Sequence, residues 1–254
     1  MLPIYERLDA RKPLLRIKLS HVAVCGISLA LGAFIYCIIW SIIMDFDRAT
    51  YTHCEVTNYL PSISAAIGSY EPQRTVWRWA IILHLPVRLI LANLYSQYYK
   101  NHIRRNRRII AKFAVILNVI ENLALVCLSL WTSADDYEVH KTSFITFIAC
   151  SEIYMLIVYF LNRKARKLSL TETEAKSLRY KGLFFTINVL AFSLAAYCFV
   201  RHNTKCESGV YTIFALFEYI VVLSNMAYHM TAYWDFYGLY MLYDWQKGLY
   251  MSHA

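Results

Sequence analysis

Long apolar runs alternate with short polar segments along this chain, and six of the runs are long enough to be bilayer-crossing helices. They cover 19–44, 76–99, 110–131, 143–161, 183–200 and 210–234, each 18 to 26 residues long. At 1.5 Å per residue a helix of about 20 apolar residues spans the hydrocarbon of a membrane. The pattern predicts an all-α, polytopic membrane protein: one unit over 1–254, a bundle of six transmembrane helices. The sixth run is the most informative, because it carries Glu218, Asn225 and His229. Steps of seven and four residues bring these three within about 40° of one line on a helix. Ionisable groups in hydrocarbon cost about 2.5–3.5 kcal/mol each on insertion scales, so they face a bundle interior or a cavity. The other runs supply polar partners: Arg78, His84 and Arg88 in the second, Asn118, Glu121 and Asn122 in the third, Glu152 in the fourth and Asn188 in the fifth.

Flanking signals refine the elements. Thr171 followed by Glu174 is a capping-box pattern for a helix leading into the fifth run. The tail over 233–250 holds eight aromatic residues beside Asp235, Asp244 and Lys247. That composition predicts a segment lying in the headgroup layer rather than a seventh span. The first run is 26 residues long without an A-x-A site, and so reads as a span rather than a cleaved leader.

Composition agrees with the membrane class: 58% of the 254 residues are hydrophobic, too many for an ordinary soluble domain. The net charge of +9 is a topology signal. Of the 26 Lys and Arg residues, five precede the first run, five lie in 100–109 and seven in 162–182. The intervening loops carry two, one and two. By the positive-inside rule both the N- and the C-terminus are cytosolic. No nucleic-acid motif accompanies the charge, so no nucleic-acid partner is expected.

Chemistry is harder to read. Cys54 and Cys206 are the two cysteines of the seven outside the apolar runs, both in non-cytosolic loops. In an oxidising lumen they would form a disulfide tying the first loop to the sixth run; the alternative is two free thiols. No His/Cys spacing fits a zinc site, so no metal is expected. There is no G-x-S-x-G elbow, and Ser62 and Ser64 have no local base. Depth sorts the buried charges into two layers. A midplane layer includes an Arg88–Glu121 pair, with His84 as the nearby general base; a lumenal layer comprises Arg78 and Glu218, with His53, Arg201 and His202 just above. Salt bridges that fix helix packing without chemistry are the alternative for each.

The stretches THCEVTNYLPSISAAIG (52–68), VWRWAIILHLPVRLI (76–90), LNVIENLAL (117–125) and RHNTKCESGVYTIFALFEYIVVLSNMAYHMTAYWDF (201–236) resemble the FRAG/DRAM/SFK family of multi-span proteins. The resemblance implies a multi-pass protein of the Golgi membrane, with the endoplasmic reticulum the other expected location. It implies action on GPI-anchored proteins: re-acylation of their lyso-GPI lipid with a saturated fatty acid during anchor maturation. The chain would then be either the acyltransferase itself or a non-catalytic lyso-GPI-binding or trafficking factor that supports a separate acyltransferase. On that reading His84, Arg88 and Glu121 are the candidate catalytic residues. Arg78, Arg201, His202, His53 and Glu218 are the candidates for the anionic lipid headgroup. No bound cofactor is expected, and the acyl donor would be acyl-CoA or a phospholipid.

Overall fold

The computed structural model describes residues 15–68, 70–244 and 248–253. Arg7, Arg11 and Lys12 of the basic N-terminal segment, and Trp245 and Lys247 of the tail, lie outside the described residues. A strand, β1 (Leu15–Lys18), runs directly into α1 (Leu19–Met44). Two short helices, α2 (Phe46–Thr50) and α3 (Ile63–Gly68), lead to α4 (Gln73–His102). A 3₁₀ turn then enters α5 (Arg108–Leu130), followed by α6 (Tyr137–Lys164), α7 (Glu172–Lys205), α8 (Val210–Met230) and α9 (Ala232–Asp235). Strands β2 (Leu239–Asp244) and β3 (Gly248–His253) end the fold. Six of these helices are long and apolar enough to cross a membrane, as the apolar runs predict.

Short connections make consecutive helices neighbours. Thus α1 packs on α4, α4 on α5, α5 on α6, α6 on α7 and α7 on α8, while α8 returns to α1 and closes a ring. Helices α6 and α7 start ahead of their apolar runs, where the side chains of Asp136 and Thr171 cap them. The α7 helix has 34 residues, about 50 Å at 1.5 Å per residue. Its start is fixed as the spacing predicts: Glu174 N donates to Thr171 Oγ1 (3.3 Å) and Thr171 N donates to Glu174 Oε2 (2.9 Å).

Between lipid-embedded helices the hydrophobic drive is weak, so close packing of small residues takes its place. On α1 the buried residues Ala23, Gly26, Ala30 and Ala33 recur at helical spacing against α4. Gly26 is the point of closest approach: a Cβ there would lie 2.7 Å from Val87 Cγ1. Its carbonyl also accepts a hydrogen bond from His84 Nδ1 at 2.7 Å. Gly26→Ala should push α1 from α4, lower stability by about 1–3 kcal/mol as overpacking does, and release His84. Thermal unfolding of purified protein reads the loss; an unchanged midpoint would contradict the tight contact.

The aromatic tail adds no seventh span, and it forms structure that its composition did not predict. Strand β2 pairs antiparallel with β3 and with β1, the residues just before α1. The register sets Arg16 opposite Leu242 and Lys18 opposite Tyr240. The reason is period two: Leu239 and Met241 turn inward and are buried beneath the helix ends, alternating with Tyr240 and Leu242. Arg16 lies 4.3 Å from the centre of the Tyr240 ring, a cation–π contact that adds to the pairing. One end of the ring is therefore closed by this sheet.

At the opposite end the Cys54–Cys206 disulfide forms, with Cα atoms 5.2 Å apart. It ties the loop between α2 and α3 to the junction of α7 and α8. Gly209 N donates to Thr57 O (3.2 Å) and Tyr59 N to Thr212 Oγ1 (2.8 Å), which hold that loop over the start of α8.

Candidate functional site

Near the middle of the bundle four helices converge on a polar cluster. From α4 comes Arg88, from α5 Asn118, Glu121 and Asn122, from α6 Ser151, and from α8 Asn225 and His229. The residues of α5 are three and four apart, and those of α8 four apart, so each set shares one helix face. Glu121 is 2% exposed and Arg88 5%, so each charge is out of contact with water and lipid.

His229 sits at the centre. Its Nε2 donates to Glu121 Oε1 at 2.9 Å. Arg88 Nη2 lies 2.9 Å from each ring nitrogen, and with Nε2 committed to Glu121, the acceptor it can use is Nδ1. Arg88 Nε donates to Asn122 Oδ1 (2.9 Å). Glu121 also receives Asn118 Nδ2 at 3.1 Å and Asn225 Nδ2 at 3.3 Å, while Asn225 Nδ2 reaches Ser151 Oγ at 2.6 Å. Tyr154 stacks on the imidazole, ring centres 5.5 Å apart. One cation and one anion are thus joined through a histidine, with amides filling the remaining lone pairs. That satisfaction is what makes a buried pair tolerable.

The arrangement corrects one sequence expectation. Arg88 and Glu121 belong to one network but do not form a direct ion pair; His229 lies between them. His84 stands apart from that network: its Nδ1 donates to the Gly26 carbonyl, which fixes the ring at the α1–α4 contact and leaves Nε2 as its acceptor nitrogen. The residue with a carboxylate on one nitrogen and a cation on the other is His229. Its four-residue spacing from Asn225 was the signal in the sequence, and it points at the polar face without naming the partners.

The five expected headgroup residues all lie towards the disulfide end, where each bonds or packs within the protein. Arg78 terminates α5, donating to the carbonyls of Ser129 (3.3 Å) and Leu130 (2.6 Å) and to Asp135 (3.1 Å). Arg201 is bidentate on Glu207 (2.7 and 3.1 Å) and donates to Tyr197 Oη. His202 is 1% exposed, neither ring nitrogen has a partner among the described residues, and its ring packs between His53 and Tyr211. His53 lies beside the disulfide, its Nε2 3.4 Å from Cys54 Sγ. Glu218 accepts from the Ile63 amide at the start of α3 (3.1 Å). The cations expected to await a phosphate are instead spent on backbone carbonyls and carboxylates, because a loop closes over this end. His53, Cys54 and Cys206 offer three ligand atoms within 4.8 Å of one another, but both sulfurs are committed to the disulfide.

Two other midplane groups stay outside the cluster. Asn188 joins α7 to α8 through Val221 O (2.7 Å) and Ser224 Oγ (2.8 Å). Glu152 has both carboxylate oxygens sealed from solvent and, among the described residues, no hydrogen-bond partner.

The Arg78 clasp has a pH signature. Asp135 takes Arg74 Nη2 on both oxygens (2.7 and 2.6 Å) and the Thr132 amide (3.1 Å). Arg74 first, then the Thr132 amide, pulls its carboxyl down from 3.8 to about 2. A lowered folded value means the clasp stabilises above the ordinary carboxylate range and is lost as pH falls through about 2. Asp135→Asn should unfold at lower temperature than the parent protein at neutral pH, the gap narrowing from about pH 4 downward. A gap independent of pH would refute this origin.

Comparison with known proteins fits this six-helix frame. The chain is 60% identical over 253 residues to "Post-GPI attachment to proteins factor 2" of Drosophila pseudoobscura pseudoobscura, covering 99% of both chains. Identity is also 60% over 255 residues to the protein of the same name in Drosophila melanogaster, covering all of both. "Acyltransferase PGAP2" of Xenopus tropicalis is 41% identical over 93% of this chain and 94% of its own. No solved structure matches the chain. Residues 18–239, all six long helices among them, match the family model described as Frag1/DRAM/Sfk1/Cwh43P N-terminal domain, and this multi-pass membrane protein belongs to that family.

Proposed function

We propose that this protein acts in the lipid remodelling of GPI anchors, re-acylating lyso-GPI-anchored proteins with a saturated fatty acid in the Golgi membrane. Its termini face the cytosol, and the disulfide end faces the lumen, where disulfides persist and the anchored protein resides. Full-length similarity to relatives named for GPI attachment, one group of them named acyltransferases, supports the setting. The single observation carrying the chemistry is His229 between Glu121 and Arg88. A carboxylate that orients an imidazole and supports its protonated form is the arrangement general-base acyl transfer uses. In this reading the lyso-lipid hydroxyl displaces Arg88 from Nδ1, gives its proton there and attacks the donor carbonyl; the donor's C–S or C–O bond then breaks, and the departing CoA thiolate or lysophospholipid alkoxide takes that proton back from Nδ1. Arg88, moved one contact away, faces the developing oxyanion. An apolar crevice of about 320 Å³ on α1, lined by Tyr36, Ile39, Trp40, Ile43 and Met44 towards the disulfide end, is suited to an acyl chain.

Two observations favour a second reading, a non-catalytic lyso-GPI-binding factor. The cluster's polar groups are satisfied by one another. Glu121 also lies nine residues from the disulfide end of α5, about 13 Å deep at 1.5 Å per residue, so the lipid glycerol must be drawn inward. The purified protein in nanodiscs, supplied with a lyso-GPI and either acyl-CoA or a diacyl phospholipid, separates the two. Turnover with one donor supports the first reading and identifies the donor. Saturable lyso-GPI binding without product establishes the second.

A further inference from the structure

A second site is built at the sheet end, on the outer side of the α4–α5 turn. A cavity of about 360 Å³ lies there, lined by Ser96, Tyr99 and Lys100 of α4, Arg105 of the 3₁₀ turn, and Arg108 and Lys112 of α5. That volume falls in the range of small-ligand pockets. Four of the eight residues that line it are cationic and none is acidic. Elsewhere at this end buried cations are neutralised: Arg166 by Glu174 and Lys181 by Asp235. Here, among the described residues, no carboxylate pairs with Lys100, Arg105, Arg108 or Lys112. Arg108 Nη2 donates to the Lys100 carbonyl (2.7 Å), which fixes the guanidinium, while its Nε is sealed from solvent with no acceptor. The first turn of α5 contains no acidic residue, so its amide dipole adds to the positive field.

Apolar surface continues from the cavity. Ile109 lines it, and Ile109, Phe113, Ile116 and Ile120 are all exposed. Their spacing of four, three and four makes one stripe running along α5 into the hydrocarbon. One fixed guanidinium and three exposed cations beside a lipid-facing stripe match an amphiphile with a phosphorylated head, whereas a soluble phosphate would leave the stripe unused.

We propose that this cavity binds the headgroup of a phosphorylated inositol phospholipid, its phosphates among Lys100, Arg105, Arg108 and Lys112 and its acyl chain along the Ile109–Ile120 stripe. A headgroup with one phosphodiester charge leaves most of the four cations unmatched; an added phosphomonoester contributes about −1.5 to −2 more. Basic pockets between helices at the cytosolic face are where such heads bind. The proposal uses the cytosolic orientation of this end but nothing of the central cluster, so the two can fail separately.

The test uses the full chain in phosphatidylcholine nanodiscs doped with phosphatidylinositol 4-phosphate, with retained lipid counted by native mass spectrometry. The unaltered protein is expected to hold this lipid at least about tenfold more tightly than phosphatidylserine supplied at equal total charge. The double variant Arg105→Ala/Lys112→Ala, both exposed side chains outside the fold's hydrogen bonds, should lose about tenfold while unfolding at the parent temperature. Equal retention of the two lipids at matched charge reduces the site to diffuse attraction and overturns the proposal. Undiminished retention by the double variant overturns it too, as does displacement by acyl-CoA but not by excess inositol lipid.

Discussion

His229→Gln is expected, on the proposed acyl-transfer reading, to leave a folded, membrane-inserted protein that has lost about 10²–10⁴-fold in turnover, the range general-base catalysis contributes. Glutamine supplies one donor for Glu121 and one acceptor for Arg88, so the charges stay bridged and the bundle stays closed. It lacks a nitrogen that takes up a proton. Removing the carboxylate acts differently. Glu121→Leu leaves the Arg88 guanidinium buried without a counter-charge, a change that costs about 3–5 kcal/mol, so activity and stability fall together. The contrast is the diagnostic. If His229→Gln retains full turnover while Glu121→Leu still unfolds the protein, the cluster is packing alone. The complementary measurement is the product assay across pH in the parent protein, whose acid limb should vanish with His229.

How much of this could be read beforehand divides along physical lines. The six helices follow from apolar length alone, because a membrane span has few alternatives once about 20 consecutive residues are predominantly apolar. The disulfide follows from which loops carry cysteine. The polar centre was legible as a face: Asn225 and His229 on one line, Asn118, Glu121 and Asn122 on another. Its wiring was not legible, since a helical period gives direction but neither depth nor partner. Glu218 shares the line of Asn225 and His229 yet ends on the Ile63 amide. Arg78 misled for a related reason. Two of its three acceptors are backbone carbonyls, and a carbonyl at a helix end has no residue signature. The sheet was hidden by composition: aromatic density argued for an interface, while the two-residue alternation from Leu239 to Met241 carried the fold.

A loss of stability as large as that of Glu121→Leu is expected at the sheet end, in Asp235→Asn. Lys181 is 2% exposed, and its three ammonium donors are all used: Ser177 Oγ at 2.7 Å, Thr231 Oγ1 at 2.6 Å and Asp235 Oδ2 at 2.6 Å. Asp235 in turn accepts Tyr95 Oη (2.7 Å) and Ser177 Oγ (2.6 Å). The network ties α7 and α4 to α9 and so sets where the chain leaves α8 for the sheet. Asn keeps the shape and cancels the charge, stranding the ammonium, which places the loss at about 3–5 kcal/mol. Lys181→Met strands the carboxylate instead, but Tyr95 and Ser177 still donate to it, so its loss should be smaller. Combining Lys181→Met with Asp235→Asn removes both charges and should recover much of the Asp235→Asn loss. Thermal unfolding of the three variants decides the matter. Additive losses in the double variant would mean that the two charges do not act as a pair, and that the α7–α9 junction is held by the hydroxyls alone.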